Sequence, residues 1–139
     1  MATVTLRRVN AQSLEDARVL YDLLKERKPE QSISHTAMPT WNEHLVFMGY
    51  CPYEAWYIIE ADGEDVGSIY ITGRSELGVF IFERHHRKGY ASAAVEMMME
   101  WHERPRFLAN VNPKNQASVL LWKKFGFEML QVTYARDRR

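Results

Sequence analysis

The chain has 139 residues, of which 46% are hydrophobic and 26% charged, a balance typical of a folded domain rather than a disordered tail. Eighteen Lys and Arg residues cancel eighteen Asp and Glu residues, which argues against a nucleic-acid or anionic-membrane partner; any bound anion must be held locally. The single cysteine excludes an intramolecular disulfide. The sequence shows neither the apolar core of a signal peptide nor an apolar run of roughly 18 residues. We therefore expect one cytoplasmic domain over residues 1–139.

The N-terminal region predicts a strand followed by a helix. The pattern from Val4 to Val9 favours a strand. Ser13 has the position of an N-cap, with Asp16 as its capping-box partner, and the apolar spacing continues the helix to about Arg27. The polar segment Lys28 to Met38 is expected to be a loop.

A second short helix and a β-meander come next. Thr40 and Glu43 repeat the capping-box spacing, and Gly49 is the expected end of the helix. Three apolar segments separated by turn residues then predict antiparallel strands. These strands are Ala55 to Ala61, Val66 to Thr72 and Leu77 to Phe82.

The last third of the chain alternates helix and strand. The pattern predicts a helix from Ala91 to Trp101, a strand from Phe107 to Val111, a helix from Gln116 to Phe125 and a last strand from Glu128 to Tyr134. The order βααβββαβαβ indicates an α/β domain with a mixed, mostly antiparallel sheet flanked by helices.

Two segments carry candidate chemistry. Between Phe80 and Ser92, an apolar strand runs through a basic turn into a helix, so that unpaired N–H groups and the helix dipole suit a pyrophosphate. Gly89 permits the turn, although a solvated helix cap gives the same pattern. The second segment, from Asn112 to Phe127, is by itself a capped amphipathic helix.

In combination, these segments resemble the GNAT acyltransferases. His86, Gly89 and Ala91 fall on the family's R/QxxGxG/A phosphate-loop motif. The later motif is matched by Asn115, Ser118, Trp122, Gly126 and Phe127. The resemblance extends over nearly the whole chain in the family's order.

The resemblance implies acetyl-coenzyme A as cosubstrate and direct transfer of its acetyl group to a primary amine. The backbone of Phe80, Ile81 and Phe82 would pair with the pantetheine amides. Asn115 and Trp122 would line the thioester end. The pyrophosphate would be held by His86, Arg87, Lys88, Gly89, Tyr90, Ala91 and Ser92.

Two departures from the family affect the chemistry. His86 stands where Arg or Gln is usual and carries little charge at pH 7. Trp122 stands where many members have a Tyr that protonates the leaving thiolate, and an indole N–H has no useful acidity. Our candidate general base is Glu76, with a solvated turn residue as its alternative. Other claimants are Glu54, Glu60, His44 and Tyr134.

The sequence leaves three hypotheses about function open. The first is an amine N-acetyltransferase acting on a small-molecule amine or a protein N-terminus. A non-catalytic GNAT-like module that binds acyl-coenzyme A is the second, and a different phosphate-ligand binder the third. The adjacent His85 and His86 lack ligand spacing for a metal, so no metal is expected. Monomer and homodimer both stay open.

Overall fold

The computed structural model describes residues 2–27 and 37–138, so most of the predicted loop from Lys28 to Met38 lies outside the described residues. The strands are β1 (Val4–Arg8), β2 (Ala55–Ala61), β3 (Glu64–Ile71), β4 (Glu76–Ile81) and β5 (Leu108–Ala109). The helices are α1 (Leu14–Lys25), α2 (Trp41–Gly49), α3 (Tyr90–Trp101) and α4 (Gln116–Lys124), with a 3₁₀ turn at Glu83–His85.

The five strands form one mixed sheet in the order β1-β2-β3-β4-β5. The first four are antiparallel neighbours, whereas β5 runs parallel to β4. This arrangement confirms the predicted fold class. Within the described ranges, no helix combines the length and apolarity needed to cross a membrane.

Helices cover both faces of the sheet. On one face, α3 and α4 bury a core that includes Ile69, Val95 and Trp122. On the other, α1 and α2 bury a second core that includes Leu20 and Met48. Alternation along the strands supplies both cores, because successive side chains point to opposite faces.

The helix caps agree with the sequence pattern at α2 and differ from it at α1. Thr40 and Glu43 form the complete reciprocal capping box. At α1, the Ser13 hydroxyl accepts from the Asp16 N–H as predicted, but the Asp16 carboxylate binds Arg7 and the Asn10 N–H instead of closing the box. The Arg7 ion pair draws this carboxylate away from the cap.

The predicted last strand from Glu128 to Tyr134 is wrong. The segment forms no strand, and Met129 and Tyr134 are 85% and 94% exposed. Its alternating pattern has high strand propensity, but a strand needs a hydrogen-bonded neighbour. The adjoining edge strand is reduced from the predicted Phe107 to Val111 to Leu108–Ala109, which is too short to template another strand.

Candidate functional site

Strands β4 and β5 pair only at their first residues and leave an open edge along the rest of β4. The pairs are Glu76 with Leu108 and Leu77 with Ala109, and no other strand in the described part of the chain lies beside β4 on this side. Beyond these pairs, the peptide groups that face away from β3 are available to an extended ligand.

Hydrogen-bond alternation identifies which peptide groups face the open edge. The Phe82 N–H donates to the Val66 carbonyl at 2.9 Å, so Phe82 and, two residues earlier, Phe80 bond to β3. Val79 and Ile81 therefore face the edge. Of the three residues predicted to pair with a ligand, only Ile81 has this orientation. Val79 is the residue that sequence reasoning missed, because the register is not visible in one sequence.

His86 connects the following loop to the end of β4. Its Nε2 donates to the Ile81 carbonyl at 2.8 Å, which assigns the proton to Nε2. The Val79 carbonyl and the N–H groups of Val79 and Ile81 are the remaining edge groups. His86 thus positions the basic loop, residues 83–89, against the strand.

The basic loop connects to α3 and contains two residues with a left-handed backbone conformation. Arg87 has φ 64° and Gly89, the N-cap of α3, has φ 80°, with no side chain capping the helix. The first intrahelical bond runs from the Ala93 N–H to the Gly89 carbonyl. The three preceding N–H groups, of Tyr90, Ala91 and Ser92, come too early in the helix for an intrahelical acceptor, as at any helix start, and could bind an anion.

Positive charge collects at the same helix start. Arg87 and Lys88 are exposed, and Lys124 Nζ from α4 donates to Ser92 Oγ at 3.1 Å. Among the described residues, no carboxylate forms an ion pair with these three cations. Lys124 was not predicted, because it lies 32 residues from Ser92 in sequence.

Asn115 and Trp122 both have structural contacts. Asn115 caps α4, its side-chain oxygen accepting from the Ser118 N–H at 3.1 Å. Trp122 is only 5% exposed and belongs to the α3/α4-side core, with its ring 5.0 Å from that of Phe127. Trp122 consequently anchors α4 to the sheet.

Glu76 lies where β4 begins and joins three segments. Its Oε1 accepts from the Thr72 hydroxyl at 3.0 Å, and its Oε2 accepts from the Asn110 amide at 2.6 Å. Each carboxylate oxygen has further lone-pair capacity. Among the other claimants, Glu54 pairs with Arg104, Glu60 pairs with Arg7, Tyr134 is exposed, and His44 is buried.

On the α1/α2 face, a cavity of about 50 Å³ lies between α1, α2 and strands β2 to β4. We call it the aromatic cavity. It is lined by Leu20, Leu23, Leu24, Arg27, His44, Phe47, Tyr53, Trp56, Ser68, Tyr70 and Phe80. None of these residues is acidic.

Aromatic stacking shapes the cavity. The rings of Tyr53 and Tyr70 stack at 3.8 Å, nearly parallel. Tyr70 and Gly78 are cross-strand partners, and a Cβ at Gly78 would overlap with the Tyr70 ring. The absence of a side chain at Gly78 therefore lets Tyr70 lie across β4.

Burial shifts the titration of the polar groups in the cavity. It lowers the pKa of Arg27, an effect that nearby Tyr70 and Tyr53 partly oppose. Burial also raises the pKa of Tyr53 and of Tyr70, so both phenols keep their protons at pH 7. Burial lowers the pKa of His44, whose Nε2 donates to the Ala17 carbonyl at 2.9 Å.

The comparison with protein families decides the assignment of this fold. A family model described as acetyltransferase (GNAT) domain matches residues 4–128. The chain belongs to the GNAT acetyltransferase family. A search of the curated proteins gives no significant match.

Solved structures share the GNAT fold at low sequence identity. Aminoglycoside N-acetyltransferase AAC(6')-Iy in complex with coenzyme A is 18% identical with a TM-score of 0.72, covering 100% of this chain and 97% of its own. Spermidine N-acetyltransferase SpeG of Vibrio cholerae is 17% identical with a TM-score of 0.70, covering 92% and 81%. The ribosomal alpha-N-protein acetyltransferase RimL, in complex with coenzyme A, is 18% identical with a TM-score of 0.66, covering 88% and 78%.

Proposed function

We propose that this GNAT chain is an N-acetyltransferase that moves the acetyl group of acetyl-coenzyme A to a primary amine by direct transfer. The observation that carries the proposal is the continuity of two features. The open edge of β4 leads through the basic loop to the uncapped start of α3. Coenzyme A has an extended pantetheine arm with amide groups, followed by a pyrophosphate. The arm would pair with the strand edge and the pyrophosphate would bind at the helix start.

The phosphate end of the cosubstrate is assigned to the helix start. There, the N–H groups of Tyr90, Ala91 and Ser92 bind the pyrophosphate, and the αL conformation of Gly89 directs them outward. Supporting charge comes from Arg87, Lys88 and the unpredicted Lys124.

The pantetheine arm is assigned to the edge groups of Val79 and Ile81. Phe80 and Phe82 direct their peptide groups to β3 and hold the strand in register. His86 bonds to the Ile81 carbonyl and fixes the loop. Asn115 and Trp122, which cap and anchor α4, border the thioester end.

Glu76 is proposed as the general base. The acceptor enters as an ammonium and must lose a proton before its nitrogen attacks the thioester carbonyl. Glu76 takes that proton through water while Thr72 and Asn110 hold its carboxylate in place. The new C–N bond replaces the C–S bond, and the departing sulfur takes a proton from water or from the amine, since the Trp122 indole cannot supply one.

An acceptor screen tests the proposal. Purified protein is mixed with acetyl-coenzyme A and a panel of amines, and free thiol is measured against amine-free blanks. We expect thiol release with at least one amine, matched by acetylated product in mass spectrometry. Coenzyme A binding without transfer to any amine would instead favour the non-catalytic module. A thermal shift with ATP but none with coenzyme A would overturn the cosubstrate assignment.

A further inference from the structure

The aromatic cavity contains an arginine, Arg27, that pairs with no carboxylate among the described residues. The Arg27 guanidinium lies 3.8 Å from the centroid of the Phe80 ring. Within residues 2–27 and 37–138, it forms no ion pair. The carboxylate of its neighbour Glu26 accepts the Glu83 N–H instead. Among the described residues, the charge of this partly desolvated cation thus faces an aromatic ring and no carboxylate.

The cavity's hydroxyl groups add hydrogen-bond donors near this cation. Tyr53 and Tyr70 both interact electrostatically with Arg27, which opposes the rise in their pKa values that burial causes. Neither phenol donates to a described residue. Both remain protonated at pH 7 and are therefore available as O–H donors beside the guanidinium.

None of the described residues that line the cavity is acidic. Glu76 is the carboxylate that influences Tyr70, and its two oxygens are engaged with Thr72 and Asn110. His44 Nδ1 is buried, has no hydrogen-bond partner among the described residues and cannot neutralise Arg27.

We propose that the acceptor is an amine that also carries a carboxylate, and that Arg27 binds this carboxylate in the aromatic cavity. The inference rests on the proposed function and specifies its substrate class. A guanidinium matches a carboxylate with two parallel hydrogen bonds, and the phenols of Tyr53 and Tyr70 add donors. At about 50 Å³, the cavity holds such a group rather than a whole substrate.

The same arrangement disfavours polycationic acceptors. A polyamine or aminoglycoside would bring ammonium groups towards Arg27, and like charges in a partly buried site repel. SpeG and AAC(6')-Iy are named for such acceptors, and the inference predicts that this chain uses neither spermidine nor an aminoglycoside efficiently.

A paired acceptor panel tests the inference on the wild-type protein with saturating acetyl-coenzyme A. Each L-amino acid is compared with its carboxamide, and β-alanine and γ-aminobutyrate vary the spacing between amine and carboxylate. Spermidine and an aminoglycoside represent polycations. We expect the best acid to exceed its amide by roughly 10²-fold in kcat/KM, as for loss of a buried charged partner. Amides or polycations turned over as well as the acids would overturn the inference and leave the proposed function standing.

Variants of Arg27 test whether this residue causes the preference for the acid over its amide. Arg27→Gln should lower kcat/KM for the best acid by roughly 10²-fold and change its amide by less than about threefold, whereas Arg27→Lys should retain part of the preference. Arg18→Gln is the matched control, because Arg18 lies on α1 over Trp41, away from the cavity lining. An equal loss for acid and amide in Arg27→Gln would contradict carboxylate recognition.

Binding separates failure of the inference from failure of the proposed function. If no amine is acetylated, the proposed function fails, and thermal shifts with the same acids and amides still test the cavity. A shift with the acid alone, lost in Arg27→Gln, supports the inference. Equal shifts, or none with either ligand, refute it.

Discussion

The start of α3 and the aromatic cavity present binding groups in two different ways. At the helix start, consecutive main-chain N–H groups face outward from an exposed loop. In the cavity, partly buried side chains from α1, α2 and three strands converge on one small space. The first region depends on backbone conformation, and the second depends on the identity of each side chain.

This difference has a consequence for substitutions. In the loop, most side chains can change while the N–H groups keep their direction, so sensitivity should concentrate at the glycine with positive φ. Around the cavity, each lining side chain contributes its own charge, hydroxyl or volume. Substitutions there should alter acceptor use more than coenzyme A binding.

The largest expected effect is at Glu76, on the acceptor side. Glu76→Gln keeps the size of the side chain but removes its basicity and replaces one of its two acceptor oxygens with an NH2 donor. We expect kcat/KM to fall by roughly 10²- to 10⁴-fold with coenzyme A affinity nearly unchanged. Steady-state rates and calorimetry measure both quantities. Glu54→Gln is the control, and a loss at Glu76 no larger than at Glu54 would return Glu76 to a structural role.

The next largest effect is expected at Gly89, the N-cap of α3, when a negative charge is added there. Gly89→Asp adds a side chain at φ 80°, where its Cβ meets no described atom within 4 Å apart from its chain neighbours, and it puts a carboxylate beside the proposed phosphate site. We expect coenzyme A affinity to fall by roughly 10²-fold or more, since an anion replaces open space at an anion site.

Gly63→Asp is the matched control for Gly89→Asp. Gly63 has φ 82°, equally open surroundings and a place in the β2–β3 turn. Both variants should stay folded and lose at most about 1–2 kcal/mol of stability, because Asp tolerates the left-handed region better than most residues. Unchanged coenzyme A affinity in a folded Gly89→Asp protein would remove the phosphate assignment.

A smaller effect is expected where Tyr70 crosses β4. Gly78→Ala places a Cβ against the Tyr70 ring and should displace it from Tyr53 at a cost of about 1–3 kcal/mol. We expect KM for the acceptor to rise while the Kd of coenzyme A stays constant. Gly73→Ala, which has open space and no positive φ, should change neither quantity. A selective loss of coenzyme A binding in Gly78→Ala would contradict the separation of the two regions.

The smallest kinetic effect should come from Trp122. Trp122→Phe retains an aromatic ring in the core and removes the indole N–H, so kcat/KM should change by less than about tenfold. Trp122→Ala should instead destabilise the domain by about 3–5 kcal/mol because the side chain is buried. Thermal denaturation and initial rates measure the two variants. If Trp122→Phe costs 10²-fold or more with coenzyme A binding intact, the indole has a catalytic role.

Sequence reasoning succeeds where the determining residues are contiguous. The bounds of β2, the capping box of Thr40 and Glu43, and the passage from β4 into α3 all follow from neighbouring residues. The motif to which we assign phosphate binding is readable for the same reason, since it consists of consecutive residues.

The aromatic cavity could not be predicted in this way. Arg27, His44, Tyr53, Tyr70 and Phe80 lie far apart in sequence and meet through helix docking and strand register. The direction of each peptide group along β4 could not be predicted either, because it depends on how β4 pairs with β3.

Two further features were not predicted because they depend on tertiary packing. The strand pattern from Glu128 to Tyr134 has no strand to pair with among the described residues. Lys124 reaches Ser92 only after α4 packs on the sheet.

An amide NMR titration with coenzyme A tests the central claim most directly. Because the phosphate and pantetheine groups are assigned to backbone N–H groups, the largest shifts should occur at Tyr90, Ala91 and Ser92 and at the edge residues Val79 and Ile81. Arg27 and Tyr53 should shift little. Shifts centred on the aromatic cavity, with none at the start of α3, would contradict the account.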